Sequence, residues 1–330
     1  MTLPDFFIAG APKAGTTALH AALARHPSLF MSAVKEPKFF LTDGPPPGRG
    51  GPGDARTYRE HIWRREKYER LFAEAPDGVL RGESTPFYLY RRDAHARIRA
   101  LIPHARLIVV LRDPIERAHS NWTHLWSAGL EPVGDIVAAC AEEDRRIAAG
   151  WADFWHYLSL GRYGQQLEHL YRVFPPKQVI LLRYHELIDC PAEVLDRICA
   201  FLGVETGILT EVPRENVTAH PAPTRRHRAL SRALRAGEAV AGRHPALHPV
   251  VRLTGPLERM LQADARPRQP LTWEQRRALI PLIEDDVRRL EMITGDDFGD
   301  WLRPRDNTGG LVGARPAGQR QARNGQPRAF

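Results

Sequence analysis

Three short apolar runs along the chain predict buried strands. They cover residues 6–10 (FFIAG), 106–111 (RLIVVL) and 178–183 (QVILLR). Their apolar residues are consecutive rather than alternating, which indicates strands that are covered on both faces. Such strands are typical of a parallel sheet packed between helices.

Between these runs, apolar residues recur at the spacing of helices. The predicted helices cover residues 17–25, 114–127, 165–174 and 191–202. Pro114 stands in the first turn of its helix, where the missing N–H costs nothing. Strands that alternate with helices predict an α/β fold of a single domain, with a central parallel β-sheet flanked by helices.

Near the end of the chain, Thr272 and Gln275 have the spacing of a capping box at the start of a helix. One helix is predicted to follow, because apolar side chains recur there at helical spacing. These apolar residues are Leu279, Leu282, Ile283, Leu290 and Ile293.

Three segments have an irregular composition. Residues 43–54 (DGPPPGRGGPGD) consist almost entirely of Pro and Gly, which predicts a surface loop or, alternatively, a mobile lid beside a site. Residues 203–224 form a second loop with scattered prolines. We therefore predict one domain over residues 1–302 and a disordered tail rich in Arg, Gly and Pro over residues 303–330.

Composition and charge narrow the classes of function. The 330 residues are 43% hydrophobic and 26% charged, which excludes collagen, coiled coils and disulfide miniproteins. The net charge is +8, but the last 28 residues hold six arginines against Asp306 alone. The rest of the chain is too close to balance for a nucleic-acid groove, and a small anionic ligand suits it better.

The lengths of the apolar runs, the N-terminal residues and the cysteines indicate in which cell compartment the protein works. No apolar run reaches 18 residues, so we expect no membrane span, and the N-terminal residues look like a strand rather than a signal peptide. Cys140, Cys190 and Cys199 have no metal-ligand spacing, and we expect buried, reduced thiols. Together these features predict a cytoplasmic protein.

A glycine loop joins the first strand to the first helix. Gly10 and Gly15 have the spacing of a Walker A loop, but Thr16 stands where that motif has its lysine, and the lysine is instead Lys13. Backbone N–H groups of such a loop and the helix N-terminus attract an anion. Lys13 and the hydroxyls of Thr16 and Thr17 would hold a shorter anion than a nucleoside triphosphate. The alternative is a tight turn with a surface lysine.

A second candidate anion site follows the strand 106–111. Arg112 comes directly after this strand, at the edge where open α/β sheets bind their ligands. Ser120 lies two turns along the next helix, and an arginine fork with a serine hydroxyl suits one phosphate group. The alternative is a surface ion pair between Arg112 and Asp113.

Taken together, these motifs resemble a known family. In order and spacing the chain is similar to the sulfotransferases that use 3′-phosphoadenylyl sulfate (PAPS), above all those of the heparan-sulfate type and their bacterial relatives. The resemblance runs from about residue 5 to residue 302 and implies a P-loop-like sheet. The matching segments are PKAGTT, HP, KEPKFF, LRDPIERAHSNW and GRYGQQL, followed by Gly295 and Trp301.

The resemblance also assigns roles to residues. It implies that Arg112 and Ser120 hold the 3′-phosphate and that the basic pair Arg225 and Arg226 lies in a loop over the cofactor. Glu36, in KEPKFF, matches the general base. The residues implied to hold the 5′-phosphosulfate are Lys13, Ala14, Gly15, Thr16 and Thr17.

These roles predict in-line transfer of a sulfuryl group to a hydroxyl of a carbohydrate, glycoconjugate or secondary metabolite, without a metal. Lys13 would stabilise the charge on the leaving phosphate oxygen, and Glu36 would take the proton of the acceptor hydroxyl. The chain departs from animal relatives at Ser84, where they usually carry a lysine after the residue matching Glu83. Lys35, Lys38 or an arginine would have to replace that cation.

Other side chains near these motifs are weaker candidates. His20, His104 and His119 are alternatives for the base, although each is more typical of a helix or loop residue with a local partner. Four aromatic residues could line an acceptor cleft, but at least half of them are expected in the core. They are Phe39, Phe40, Phe87 and Tyr88.

Two other functions remain open from the sequence. The first is a P-loop small-molecule kinase that uses ATP. Two features disfavour a kinase: the position of Lys13 and the lack of a clear acidic magnesium ligand. The second is a nucleotide-binding protein without catalysis, which would not depend on Glu36. The acceptor and the oligomeric state cannot be deduced from these residues.

Overall fold

The computed structural model describes residues 2–48, 50–213 and 270–303. These residues form one five-stranded sheet in the order β2-β3-β1-β4-β5, and all four strand pairs are parallel. This confirms the predicted α/β fold with a central parallel sheet. The strands are β1 (Phe6–Gly10), β2 (Leu29–Met31), β3 (Leu80–Ser84), β4 (Arg106–Leu111) and β5 (Val179–Arg183).

Helices connect and cover the strands. Two predicted helices, Pro114–Ser127 and Pro191–Leu202, begin and end where the sequence placed them, and two others are shifted by up to two residues. The helices are α1 (Thr16–Leu23), α2 (Asp54–Arg59), α3 (Arg65–Arg70), α4 (Arg92–Leu101), α5 (Pro114–Ser127), α6 (Ile136–Ala141), α7 (Glu143–Ala148), α8 (Tyr163–Val173), α9 (Tyr184–Asp189), α10 (Pro191–Leu202), α11 (Trp273–Leu279) and α12 (Glu284–Thr294).

The order of the strands creates a place for a ligand beside β1. The chain leaves β1 towards β2 on one side of the sheet, and it leaves β3 towards β4 on the other side. Right-handed crossovers then put α1 and α4 on opposite faces, so the first loop lies where the direction of the connections reverses. The strands at this point, β1 and β4, are almost completely buried, as expected for a sheet covered on both faces.

The predicted C-terminal helix is two helices. The capping box is present, with Thr272 and Gln275 each accepting a hydrogen bond from the other's backbone. A 3₁₀ turn at Ile280–Leu282 then separates α11 from α12, because Pro281 has no N–H to continue the hydrogen-bond ladder. The prediction of one continuous helix was therefore wrong, and Leu282, in the turn, is 49% exposed.

Two further expectations need correction. Asp54 is not part of the irregular segment but begins α2, where its buried carboxylate accepts hydrogen bonds from the Gly51 and Ala152 amides. Cys140 and Cys199 are buried free thiols, but Cys190 is exposed, because it lies at the turn between α9 and α10.

Several expectations fall on residues outside the described ranges. They include Arg225 and Arg226, residues 214–224 of the second loop, and the tail from residue 304. The division at residue 302 therefore stays a prediction. In the described ranges, no helix is long and apolar enough to cross a membrane.

Candidate active site

The loop between β1 and α1 has the conformation that an anion site requires. Lys13 and Gly15 both have left-handed backbones, with φ of 67° and 81°. They turn the chain tightly, so that α1 begins at the carboxyl edge of the sheet with its N-terminal N–H groups at the loop. Ala14 and Thr16 are buried, whereas Lys13 and Thr17 remain half-buried. The predicted loop residues therefore lie together at the edge of the sheet.

Arg112 contacts this loop from the neighbouring strand. Its Nη1 donates a hydrogen bond of 3.1 Å to the carbonyl oxygen of Lys13, 99 residues earlier in the chain. Its side chain is 14% exposed, and its buried Nε has no hydrogen-bond partner among the described residues. The structure thus joins the two anion sites that the sequence predicts separately.

Tyr184 completes this part of the site, and the sequence analysis did not identify it. Its ring lies under the guanidinium of Arg112, with Cζ 4.8 Å from the ring centroid. A Cβ at Gly15 would lie 2.9 Å from the same ring, so Tyr184 fills the space between loop and arginine. A signal was present: Tyr184 follows β5 as Arg112 follows β4, and Leu111 pairs with Arg183 in the sheet.

Ser120 lies on the helix that begins directly after Arg112 and Asp113. Arg112 Nη2 is 3.6 Å from a carboxylate oxygen of Glu116, and Ser120 lies one turn beyond Glu116 on the same face. The alternative of an Arg112–Asp113 pair is wrong. Asp113 caps α5 through the Ile115 and Glu116 amides, and its other oxygen binds Arg276 at 2.6 Å.

Glu36 is held at the end of β3. Its backbone N–H donates to the carbonyl oxygen of Ser84 at 3.0 Å, and the Lys38 N–H donates to Thr85 Oγ1 at 3.3 Å. Glu36 and Lys38 have φ of 59° and 62°, and with Lys13 they are the non-glycine residues of the described ranges that adopt a left-handed backbone. Such strain persists where surrounding contacts enforce it, and it concentrates at functional sites.

A pocket of about 350 Å³ opens at Glu36. It is lined by Val34, Lys35, Glu36, Lys38 and Glu60. Lys35 Nζ is 2.7 Å from Glu36 Oε1, and both side chains are about a quarter exposed. The Lys38 side chain is 8% exposed, and its Nζ is 3.6 Å from Oε2 of the mostly exposed Glu60. The pocket therefore combines one candidate base with two cations.

Below the pocket lies the buried carboxylate of Glu83. It accepts hydrogen bonds of 2.8–2.9 Å from the hydroxyls of Tyr68, Tyr88 and Thr85. Burial raises the pKa of Glu83 to about 7, the hydroxyl hydrogen bonds oppose this shift, and the negative charge of Glu36 adds to it. Ser84 is fully buried, and its hydroxyl has no partner in the described part of the chain.

The remaining candidates fall into the core or away from this edge. Phe40 and Tyr88 are buried, whereas Phe39 and Phe87 are half-buried. His20 lies in α1, where burial and then the charge of Lys35 lower its pKa to about 4. His119 is buried inside α5.

His104 is exposed just before β4, at the opposite edge of the sheet. Within the described ranges, no group of three or more His, Cys, Asp or Glu side chains could hold a metal ion.

Comparisons with known proteins agree with this geometry. The chain is 34% identical over 205 residues to human heparan sulfate glucosamine 3-O-sulfotransferase 3B1, a match that covers 62% of this chain and 47% of that protein. It is 28% identical over 299 residues to human heparan sulfate glucosamine 3-O-sulfotransferase 6, covering 90% and 73% of the two chains. The chain thus spans about half the length of the first of these relatives.

A solved structure extends the similarity over nearly the whole chain. The sulfotransferase from Alicyclobacillus acidocaldarius superposes with a TM-score of 0.70 at 26% identity, covering 92% of this chain and 100% of that one. The family model for the sulfotransferase domain matches residues 3–220, which include the loop of Lys13, Glu36 and Arg112. With more than half of its length matched by that model, the chain belongs to the sulfotransferase domain family.

Proposed function

We propose that the chain transfers a sulfuryl group from PAPS to a hydroxyl of a carbohydrate, glycoconjugate or secondary metabolite. The observation that carries this proposal is the contact between Arg112 and the Lys13 loop beside the pocket of Glu36. It supplies two adjoining anion sites at one sheet edge. A nucleotide with phosphates on both ends of its ribose needs that arrangement.

The nucleotide would bind across β1 and β4. Arg112 and Ser120 would hold the 3′-phosphate, because a guanidinium offers charged donors in a fixed fork and the Nε of Arg112 has no partner in the part of the chain that the structure describes. Arg225 and Arg226 stay candidates for the covering loop. The loop residues proposed to hold the 5′-phosphosulfate are Lys13, Ala14, Gly15, Thr16 and Thr17.

Transfer would take place at the mouth of the pocket. The Glu36 carboxylate accepts the proton of the acceptor hydroxyl while that oxygen forms its bond to sulfur. The bond between sulfur and the bridging phosphate oxygen breaks in line, and Lys13 stabilises the charge that the nucleotide keeps. The family's chemistry requires no metal for this step.

Lys38 is the best placed of the cations proposed to compensate for Ser84. Its ammonium group is nearly buried in the pocket of Glu36, and Glu60, its carboxylate neighbour, lies 3.6 Å away and is 58% exposed. Lys35 is already in close contact with Glu36 at 2.7 Å. A desolvated ammonium interacts more strongly with the charge of a sulfuryl group than an exposed one does. We therefore assign this contact to Lys38.

For the acceptor, the relatives favour a carbohydrate hydroxyl. The two human enzymes named above sulfate glucosamine of heparan sulfate according to their names. The pocket of about 350 Å³ has the mostly exposed Glu60 in its lining, which suits entry of one unit of a larger molecule. The kinase alternative lacks support, because the family match is to sulfotransferases.

Calorimetric titration with adenosine 3′,5′-bisphosphate, and separately with ATP and Mg²⁺, tests the nucleotide. We expect binding of the bisphosphate that Arg112→Ala weakens by about tenfold or more, since charge-assisted hydrogen bonds contribute about 1.5–3 kcal/mol. Binding of ATP with Mg²⁺ but not of the bisphosphate would overturn the proposal and favour the kinase.

A further inference from the structure

We propose that α11 and α12 position the binding site for the 3′-phosphate, with Arg276 and Asp286 fixing the backbone of Arg112 from two sides. Both helices lie beyond residues 3–220, the part that matches the family model. The inference rests on the proposed function, because it takes Arg112 as the residue that holds the 3′-phosphate.

The first connection runs from Arg276 to Asp113, the residue that follows Arg112. Arg276 and Asp113 are 4% and 5% exposed, and their 2.6 Å ion pair joins α11 to the start of α5. The other oxygen of Asp113 caps α5, so one carboxylate binds both helices. Arg276 in turn donates to the carbonyl oxygens of Trp301 and Arg303. The position of Asp113 is therefore fixed by buried, charged hydrogen bonds on two sides.

The second connection runs from Asp286 to Arg112 itself. The buried Asp286 carboxylate accepts hydrogen bonds from the first-turn amides of α8, Gly164 at 2.8 Å and Gln165 at 3.0 Å. The preceding residue, Tyr163, is 1% exposed and donates its hydroxyl to the Arg112 carbonyl oxygen at 3.0 Å. Asp286 thus holds the helix start from which Tyr163 reaches Arg112.

Gly164 lies where α8 and α12 pack closely against each other. A Cβ at this position would lie 2.5 Å from the Asp286 carbonyl oxygen and 2.9 Å from the Leu290 amide nitrogen. Both contacts are with backbone, which cannot move aside as a flexible side chain does. The glycine therefore lets α12 lie close enough to α8 for Asp286 to cap that helix and to position Tyr163.

Neither connection uses the guanidinium of Arg112. Both hold the backbone that follows the Arg112 Cα, one through the Asp113 carboxylate and the other through the Arg112 carbonyl oxygen, while the guanidinium extends between the Lys13 carbonyl and the Tyr184 ring. A site held in its bound geometry loses less freedom when the ligand arrives. Breaking either connection should therefore reduce affinity for the 3′-phosphate in particular and spare the rest of the nucleotide.

The test compares two ligands on one protein. Adenosine 3′,5′-bisphosphate and adenosine 5′-monophosphate differ by the 3′-phosphate alone, so the ratio of their dissociation constants reports that group. We expect Arg276→Met to reduce the preference for the bisphosphate about tenfold, equivalent to about 1.4 kcal/mol. The loss should disappear in an Arg112→Ala background, where the positioned group is absent.

Asp300→Asn is the matched control. Asp300 joins the same C-terminal segment to β5 through a 2.6 Å pair with Arg183. It should lower the thermal stability while the ligand ratio stays within twofold of that of the unchanged protein. An equal loss of ratio in this control would mean that any loosening of the segment has the same effect, which overturns the specific role of Arg276.

A second variant keeps the inference testable if Arg276→Met does not fold. Asp286→Ala should lower the ratio through Tyr163, and an unchanged ratio in whichever variant folds would overturn the inference. A failure of the proposed function would give a different result. The unchanged protein would then show no preference for the bisphosphate over the monophosphate, or Arg112→Ala would retain that preference.

Discussion

The two sides of the site are built differently. On the nucleotide side, Asp113 and Arg276 form a 2.6 Å pair with both side chains about 5% exposed. On the pocket side, Lys38 and Glu60 are 3.6 Å apart, and Glu60 is 58% exposed. A rigid, buried network suits the proposed nucleotide, whose shape is constant, and a more adaptable side with charges that water can reach suits the proposed, variable acceptor.

Backbone strain is present on both sides of the site. The left-handed residues Glu36 and Lys38 belong to the pocket, Lys13 belongs to the glycine loop, and each such conformation costs about 1–3 kcal/mol. The end of β3 holds Glu36 and Lys38 through the Ser84 carbonyl and the Thr85 hydroxyl. Residues 111–113 around Arg112, by contrast, have negative φ. Strain therefore lies where the proposed chemistry occurs.

The strongest test of the pocket is Glu36→Gln. We expect kcat to fall by about 10²–10⁴, because an amide cannot accept the hydroxyl proton. Affinity for adenosine 3′,5′-bisphosphate should stay within twofold, since that ligand binds the other side. Steady-state kinetics and calorimetry on the same preparation measure both. Full activity in this variant would remove Glu36 from the mechanism and favour a different base.

Removing the cation of an ion pair should destabilise the fold more on the nucleotide side than on the pocket side. Arg276→Met should lower the free energy of unfolding by about 3–5 kcal/mol, because it leaves Asp113 buried without a cation. Lys35→Met should lower it by less than about 1 kcal/mol, because its pair with Glu36 is partly exposed. Urea unfolding measures both values. Similar losses in the two variants would contradict the contrast between a rigid and an adaptable side.

Lys38→Met tests the assignment of the missing cation. We expect kcat to fall about 10²-fold, the effect of removing one preorganised donor to a developing charge, with little change in bisphosphate affinity. Lys35→Met is the control from the same pocket and should have a smaller effect on kcat. If Lys35→Met has the larger effect, Lys35 rather than Lys38 replaces the cation absent at Ser84.

Glu83 should also make the stability of the fold depend on pH. Its pKa is raised from 4.5 to about 7 in the folded chain, so the folded state binds more protons than the unfolded state between these values. This contribution to stability is complete below about pH 4.5 and is lost as the pH rises through about 7. Glu83→Gln, which has no charge to gain, should flatten the stability curve in that interval. An equally steep curve in the variant would assign the slope to other groups.

Much of the fold could be predicted from local patterns. The runs that became β1, β4 and β5 are apolar at consecutive positions, and α5 carries its Pro at the start, so their identity depends on nearby residues alone. β2 and β3 were not predicted. β2 has three residues, and β3 reads LRGES, whose polar residues are buried by contacts from distant segments.

The candidate site divides in the same way. Lys13, Arg112 and Glu36 were identified from motifs, and the structure brings the first two into contact. Tyr184 was missed although it follows β5 as Arg112 follows β4. Arg276 and Asp286 could not be identified in advance, because each acts on a partner more than 100 residues away in the chain. No local pattern distinguishes a buried arginine that reaches across the fold from an exposed one in a helix.

The sequence by itself determined β1, β4 and β5, the glycine loop and the residue types that the proposed chemistry requires, because these depend on side-chain polarity and on turns of a few residues. The tertiary structure alone decided which charges are paired and which are left for a ligand. Asp113 was free to pair with its neighbour Arg112 but binds Arg276, and Lys38 became nearly buried while Lys35 did not. Burial and pairing are set by the packing of distant segments, and that packing turns a loop and an arginine into a site.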